Sequence, residues 1–248
     1  MDLTTLGASG SYPSATSACS GYLLRHDGFT VWMDAGNGTL VELQKHVALG
    51  DVDAVVLSHT HPDHCADLYP FFFWLLFAER SRPVPIVTPP GVRERLEQLI
   101  GADSRARFRA LLDWREQRPG DQIELGPFRI QMFDAAHSVA NNTMRIRCDA
   151  AVLCYSGDTG PNEHLAEAAH DADLFLCEAS WNESQRGLME PVHLTASDAG
   201  RAAKDAGTKR LVLTHIWPDN DRGGMLDEAA STFDGRIDLA EQLGTVQL

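Results

Sequence analysis

Short apolar runs alternate with longer mixed segments along the chain, a spacing that predicts strands alternating with helices. Residues 21–34 read as two strands around a turn at Asp27-Gly28, and Gly36-Asn37-Gly38 then leads into a helical pattern over 39–46. Residues 52–58 form the next apolar strand, 83–90 hold another between prolines, and 91–100 read as a helix with Val92, Leu96 and Leu99 on one face. Beyond Phe108 the strands come closer together, at 123–125, 128–134, 143–148 and 151–156, the last two joined by Asp149-Ala150. Alternation then returns, with helix 162–170, strand 174–177, helix 195–206, strand 211–214 and helix 225–233. Helices covering the outer faces of two mixed sheets would give an α/β fold of four layers, αββα. At 248 residues the chain fits one such domain, spanning 1–248, with a sizeable core.

The longest apolar stretch, 70–78, includes Phe71, Phe72, Phe73, Trp74 and Phe77 and is far too short to span a bilayer, so no membrane partner is expected. Its aromatic content suits a buried helix, or one shared with a homodimer interface. Acidic residues outnumber basic ones, 35 to 21, for a formal net charge of -14, and no basic patch stands out in the sequence. That balance opposes an extended polyanion, which makes RNA the weaker candidate. A small anionic substrate remains compatible, because bound divalent cations would offset part of the charge. Cys19, Cys65, Cys148, Cys154 and Cys177 are dispersed and lack CxxC spacing, as expected for reduced thiols in a cytoplasmic protein. Residues 1–7 show neither the basic segment nor the apolar stretch of an export signal, and no lipid anchor is expected.

The strand at 52–58 delivers the run His59-Thr60-His61-Pro62-Asp63-His64, which puts four candidate metal ligands in six residues. In an extended strand exit His59 and His61 point the same way and can converge on one ion, while Asp63 and His64 sit where the loop turns into a helix and can face another. Pro62 helps to fix that turn. Later strands end on further ligand types: His137 after 128–134, Asp158 after 152–156 and His215 after 211–214. A lone histidine at a strand end is ordinarily hydrogen-bonded or solvated. Seven positions sharing one spatial logic point instead to a metal site. His59, His61 and His137 are assigned to a first ion, Asp63, His64 and His215 to a second, and Asp158 to a bridge, since a carboxylate has two oxygens to share. The histidine-rich set favours zinc, and the oxygen ligands also accept manganese.

With its HxHxDH run the chain resembles the metallo-β-lactamase superfamily. His59 to His64, His137, Ser156-Gly157-Asp158-Thr159, Glu178, His193-Leu194-Thr195 and His215 together look like its phosphodiesterase branch, which includes ribonuclease Z. Leu176-Cys177-Glu178-Ala179-Ser180-Trp181, Ala199-Gly200 and Leu213-Thr214-His215-Ile216 look most like the actinobacterial cyclic nucleotide phosphodiesterases. The resemblance covers nearly the whole chain and implies the αββα metallo-β-lactamase fold, two divalent ions, a homodimer and hydrolysis of cyclic AMP or a related cyclic nucleotide. Ribonuclease Z-like cleavage of tRNA 3′ ends is the nearest alternative. The long basic arm by which ribonuclease Z usually grips tRNA has no counterpart in the sequence. Lactone or thioester hydrolysis and a nonenzymatic metal-binding role are further alternatives.

With the ligand set full, His193 is assigned to the phosphoryl oxygen and the departing ribose oxygen, and Glu178 orients it or holds it charged. Asp63 is a candidate for catalysis as well as metal binding. Ser138 and Asn141 are expected to line a phosphate pocket, with Asn142 there or closing a turn. Trp181 and the loop through Met189 to Val192 would form a wall for the base or simply pack. Asp67 is read either as a partner of a ligand histidine or as a helix first-turn acid, and Thr195 as an N-cap. The Ser- and Gly-rich loop at 7–21 could approach the site but lacks the lysine of a P-loop. His26, His46, His164 and His170 fall outside the pattern and are expected to be exposed.

Overall fold

The computed structural model describes residues 1–80, 82–187 and 191–248. The amino-terminal strands are β1 (Asp2–Ser9), β2 (Ala18–Cys19), β3 (Gly21–His26), β4 (Phe29–Met33), β5 (Ala54–Val56), β6 (Val84–Thr88) and β7 (Leu112–Glu116). They are followed by β8 (Gln122–Leu125), β9 (Phe128–Asp134), β10 (Asn142–Cys148), β11 (Ala151–Tyr155), β12 (Leu174–Glu178), β13 (Arg210–Thr214), β14 (Arg236–Leu239) and β15 (Thr245–Gln247). The helices are α1 (Thr39–Leu43), α2 (Pro62–Cys65), α3 (Leu68–Leu75), α4 (Val92–Glu97), α5 (Ala102–Leu111), α6 (His164–Ala168), α7 (Ala196–Ala206) and α8 (Arg222–Ala230).

One sheet runs in the order β15-β1-β3-β4-β5-β6-β7, with β2 beside β1, and the other runs β14-β13-β12-β11-β10-β9-β8. Each sheet is mixed: β4 to β7 are parallel, as are β11 to β14, and antiparallel hairpins adjoin both blocks. The period-two geometry of a strand sorts side chains into layers. Val31 and Met33 of β4 meet Met144, Ile146 and Tyr155 in the core between the sheets. Trp32 points the other way, onto Phe71 and Phe72 of α3 and Phe108 of α5. Phe175 and Cys177 of β12 likewise pack outward under α6 and α7. Two sheets face to face with helices outside both is the four-layer αββα arrangement the sequence predicts. Burying an aromatic side chain such as Trp32 or Phe71 contributes about 1.5–3 kcal/mol, and their edge-to-face contact at 5.7 Å adds to it.

The predicted elements are present; α1, β5, β6, α4 and α6 are shortened, β8, β10, β12 and β13 are each one residue longer, and α8 is shifted to begin at Arg222. Leu99 does not share a face with Val92 and Leu96, because α4 stops at Glu97 and Leu99 is 77% exposed. Asn142 opens β10 instead of closing a turn, its N–H donating to the Ser58 carbonyl across the sheets. The elements that the pattern misses are those without a clear apolar period. β1 buries the hydroxyl of Thr4 against Thr245 at 2.7 Å, and α5 buries only Phe108 in an otherwise polar helix. Among the described residues no helix is long and apolar enough to cross a membrane.

Candidate metal centre

Both sheets aim their strand exits at one rim. His59 to His64 follow β5, His137 follows β9, Asp158 follows β11, Glu178 ends β12 and His215 follows β13. His61 is still extended, with φ -65° and ψ 145°, and Pro62 then starts α2, which turns Asp63 and His64 back over the strand ends. His215 and Asp34 both have positive φ, 50° and 55°, a conformation that costs a non-glycine residue about 1–2 kcal/mol. Strand exits held this way aim side chains that ordinary extension would turn aside.

The seven candidate ligands gather in two groups that share Asp158, the ligand atoms of each group lying within 4.8 Å of one another. In the first, His61 Nδ1 is 3.0 Å from both His59 Nε2 and His137 Nε2, and Asp158 Oδ2 is 3.6 Å from His59. In the second, His215 Nε2 is 3.1 Å from Asp63 Oδ2 and 3.4 Å from Asp158 Oδ2, while His64 Nε2 is 3.1 Å from Asp158 Oδ1. Burial holds His59 well below the usual imidazole range and also lowers His61 and His137, so their lone pairs are free. Burial opposes charge on His64 too, but Asp158, Asp63 and Asp34 outweigh it and raise its pKa well above the ordinary value. His64 Nε2 and Asp158 Oδ1 are buried 3.1 Å apart without meeting hydrogen-bond geometry to each other or to any other group, as atoms that share a cation would be. The donor set fits divalent ions, with three imidazoles held neutral by burial in the first cluster and carboxylates that favour positive charge around His64 in the second.

A second ring of contacts orients the imidazoles from behind. His64 Nδ1 donates to Asp34 at 2.7 Å, His137 Nδ1 donates to the Val192 carbonyl at 3.0 Å, and His215 Nδ1 is 2.8 Å from Ser180 Oγ. Asp34 also accepts from Ser58 N, Ser58 Oγ and the Tyr155 hydroxyl. Asp34, Ser58 and Tyr155 escape the sequence reading, and Ser180 enters it only within the motif at 176–181 with no role assigned, although Asp34 carries the same signal as the candidate ligands, a carboxylate ending an apolar strand. The loop at 7–21 does reach the site: Ser11 N donates to Asp63 Oδ2 at 2.8 Å. Gly10 lies so close that a Cβ there would be 2.9 Å from His215 Nδ1 and 2.6 Å from its carbonyl oxygen.

Glu178 is fully buried and surrounded by donors. Its Oε1 accepts from Thr159 N at 2.7 Å and His193 Nδ1 at 2.9 Å, and its Oε2 from Ser180 N, Ser180 Oγ and Leu194 N. Burial disfavours the charged form of His193, yet Glu178 outweighs burial and raises the His193 pKa to about 9. The bond to Glu178 commits Nδ1, which also lies 4.0 Å from Asp158 Oδ2. Ser138 is exposed beside His137 on a cavity of ≈ 380 Å³. Asn141 lines the same cavity but is buried, and its Nδ2 donates to the Asp158 carbonyl, so it braces that residue's backbone. Trp181, 9% exposed, packs edge-on against His193 and Trp217, leaving little area to offer a base as a wall. Asp67 accepts from Leu40 N at 2.7 Å and so serves α1, not a ligand histidine. Thr195 caps α7 through Asp198 N. Met189 lies outside the described residues. His46 and His170 are exposed and His164 partly so, but His26 is not the free surface residue expected, since it is partly buried and lies beside Cys148 and Asp149.

Residues 29–216 match the family model described as a beta-lactamase superfamily domain. An uncharacterized protein of Mycobacterium leprae is 38% identical over 242 residues, covering 95% of this chain and 84% of its own length. The probable metallo-hydrolase YhfI of Bacillus subtilis is 29% identical over 245 residues, 97% of each chain. Its crystal structure superposes with a TM-score of 0.90 at 27% identity over 99% of both chains. Ribonuclease Z of Haloarcula marismortui is 26% identical over 296 residues, covering 97% of this chain and 94% of its own. Family match, αββα layers and strand-end clusters of histidine and aspartate agree, and the chain belongs to the metallo-β-lactamase superfamily as a metal-dependent hydrolase.

Proposed function

We propose that this chain is a single-domain, dinuclear-metal phosphodiesterase that hydrolyses 3′,5′-cyclic nucleotides such as cyclic AMP. In this reading His59, His61 and His137 would hold one ion, Asp63, His64 and His215 the other, and Asp158 would be shared between them. Two zinc ions, or manganese in their place, would supply Lewis acidity toward the phosphoryl oxygens and lower the pKa of an attacking water. The observation that carries the proposal is the His193–Glu178 pair, a partly buried ion pair held beside the ligand clusters, with His193 Nδ1 2.9 Å from Glu178 Oε1 and 4.0 Å from Asp158 Oδ2. Hydrolysis breaks a P–O bond to ribose, and the departing oxygen needs a proton. His193 gives up its Nε2 proton there and keeps the Nδ1 proton on Glu178, ending neutral. Thioester hydrolysis expels a thiolate and gives such a charged imidazole no evident leaving-group task.

The charge balance supports a small substrate. Arg80, Arg82, Arg93, Arg109 and Arg115 do line one cavity, which the sequence did not reveal as a basic patch. That cavity lies at the amino ends of β4 to β7, away from the strand exits that carry the clusters. Most of these arginines are also paired, Arg93 with Glu94, Arg109 with Glu97 and Arg115 with Asp113. Cleavage of tRNA precursors is the second reading, favoured by the archaeal ribonuclease Z relative. All five cysteines are free and buried, which supports a cytoplasmic setting. Phe73 and Phe77, 52% and 87% exposed, support a homodimer built on α3 and the residues after it.

The test is kcat/KM of zinc- and manganese-loaded protein on 3′,5′-cyclic AMP beside a tRNA precursor with a 3′ trailer, with Asp158→Ala as the metal-site control. Cyclic AMP turnover lost in the control, with the precursor uncut, is the expected result. Accurate precursor cleavage without cyclic AMP turnover would replace this reading with the second.

A further inference from the structure

The two sheets meet again at the end opposite the clusters. There β3 ends at His26 and turns through Asp27 and Gly28, both at positive φ, 48° and 80°, into β4. From the other sheet, β10 ends at Cys148 and turns through Asp149, at φ 52°, into β11. The two hairpin tips bring an imidazole nitrogen, a thiol sulfur and a carboxylate oxygen within 4.8 Å of one another. His26 Nε2 is 2.9 Å from Asp149 Oδ2 and 3.6 Å from Asp27 Oδ2. Cys148 is 2% exposed at the rim of the inter-sheet core, while the His26 and Asp149 side chains are 19% and 79% exposed. A surface histidine–carboxylate pair needs no thiol. Nitrogen, sulfur and oxygen donors from two hairpins are the mixture that tetrahedral zinc accepts. Bond lengths of about 2.0–2.3 Å put tetrahedral ligand atoms roughly 3.3–3.8 Å apart, so the three need move by only about 1 Å to share an ion.

We propose that His26, Cys148 and Asp149 form a third divalent-metal site, with zinc-type preference, that clasps the two sheets together at the end remote from the paired clusters. Asp27 or solvent completes the coordination. On binding, the Cys148 thiol releases its proton to solvent and forms a metal–thiolate bond, and His26 binds as the neutral imidazole. The site is independent of the catalytic reading: β10 leads from Asn142, beside the clusters, to Cys148, a separation of about 20 Å at roughly 3.4 Å per residue.

Cobalt(II) loading of the full chain under reducing conditions tests the proposal. None of the residues in the paired clusters is a cysteine, so a thiolate-to-cobalt charge-transfer band in the near ultraviolet reports the third site whether or not the clusters act as proposed. The expected result is that band, with one more equivalent of metal than in Cys148→Ser, which loses the band. His26→Gln and Asp149→Asn, changes at the hairpin tips, should weaken the third equivalent at least tenfold while leaving the fold intact. No thiolate band in the wild-type protein, or equal metal content in wild type and Cys148→Ser, would overturn the proposal.

Discussion

Replacing Asp34 with asparagine keeps the shape of the side chain but removes an acceptor from a pocket where every polar neighbour donates. Ser58 N and Ser58 Oγ lie at 2.7 Å, His64 Nδ1 at 2.7 Å and Tyr155 OH at 2.6 Å. The amide fits best with its oxygen in the Oδ2 position, where three of these donors converge, which turns its NH2 onto the backbone N–H of Ser58. One buried N–H left unpaired costs about 1–3 kcal/mol, and loss of charge assistance costs roughly 0.5–1 kcal/mol for each remaining bond. The sum is about 4 kcal/mol, which for a chain of this length lowers Tm by about 8–16 °C. His64 also loses the carboxylate that makes its Nε2 a strong donor, so metal affinity in the second cluster should fall about 10–100-fold. Thermal unfolding of the metal-free protein reads the first effect, and competition with a chromogenic chelator reads the second. A Tm within about 2 °C of wild type and an affinity within about twofold would show that Asp34 does not organise the cluster.

The Glu178–His193 pair gives a pH signature. His193 is raised from its ordinary 6.5 to about 9, so its charged form and the stability it contributes are fully present below about pH 6.5 and are lost as pH rises through about 9. In kcat/KM against pH the alkaline limb should follow, and Glu178→Gln should move it down by at least about one unit; an unmoved limb would separate His193 from catalysis. His193→Ala should cost about 10²–10⁴-fold in kcat/KM on cyclic AMP but far less on a p-nitrophenyl phosphodiester, whose leaving group needs no proton; equal losses on both would contradict the general-acid role. Gly10→Ala puts a methyl 2.9 Å from His215 Nδ1, and metal analysis should find the second cluster depleted while the first stays loaded. Full occupancy of both would show that the loop yields without disturbing His215.

The candidate site is more legible in the sequence than the fold around it. Each candidate ligand stands just beyond an apolar strand, so a polar residue interrupting a periodic pattern marks it. Asp34 bears the same mark and is missed because no second ligand type stands near it in sequence. Ser58, Tyr155 and Ser180 read as ordinary strand and loop residues; their importance lies in contacts across long sequence separations, such as Tyr155 with Asp34. Trp181 is ambiguous for the complementary reason, since a tryptophan near a candidate catalytic histidine signals packing and stacking equally well, and its burial favours packing. In the fold, β1, β7, β14 and α5 escape because each depends on partners supplied by distant segments. His26 shows the same limit, for nothing near it in sequence announces Cys148.

The clusters draw on residues 59–64 from one sheet and on 137, 158 and 215 from the other. During synthesis the first sheet's histidines emerge long before the rest of their set, and neither cluster is complete until both sheets have docked. If the clusters bind metal as proposed, loading is therefore a late event, tied to closure of the sandwich, and a chain truncated before residue 215 should expose an unfinished chelating motif. Such a fragment would compete for ions without retaining them, so activation reports that the whole chain has folded as well as that metal is at hand.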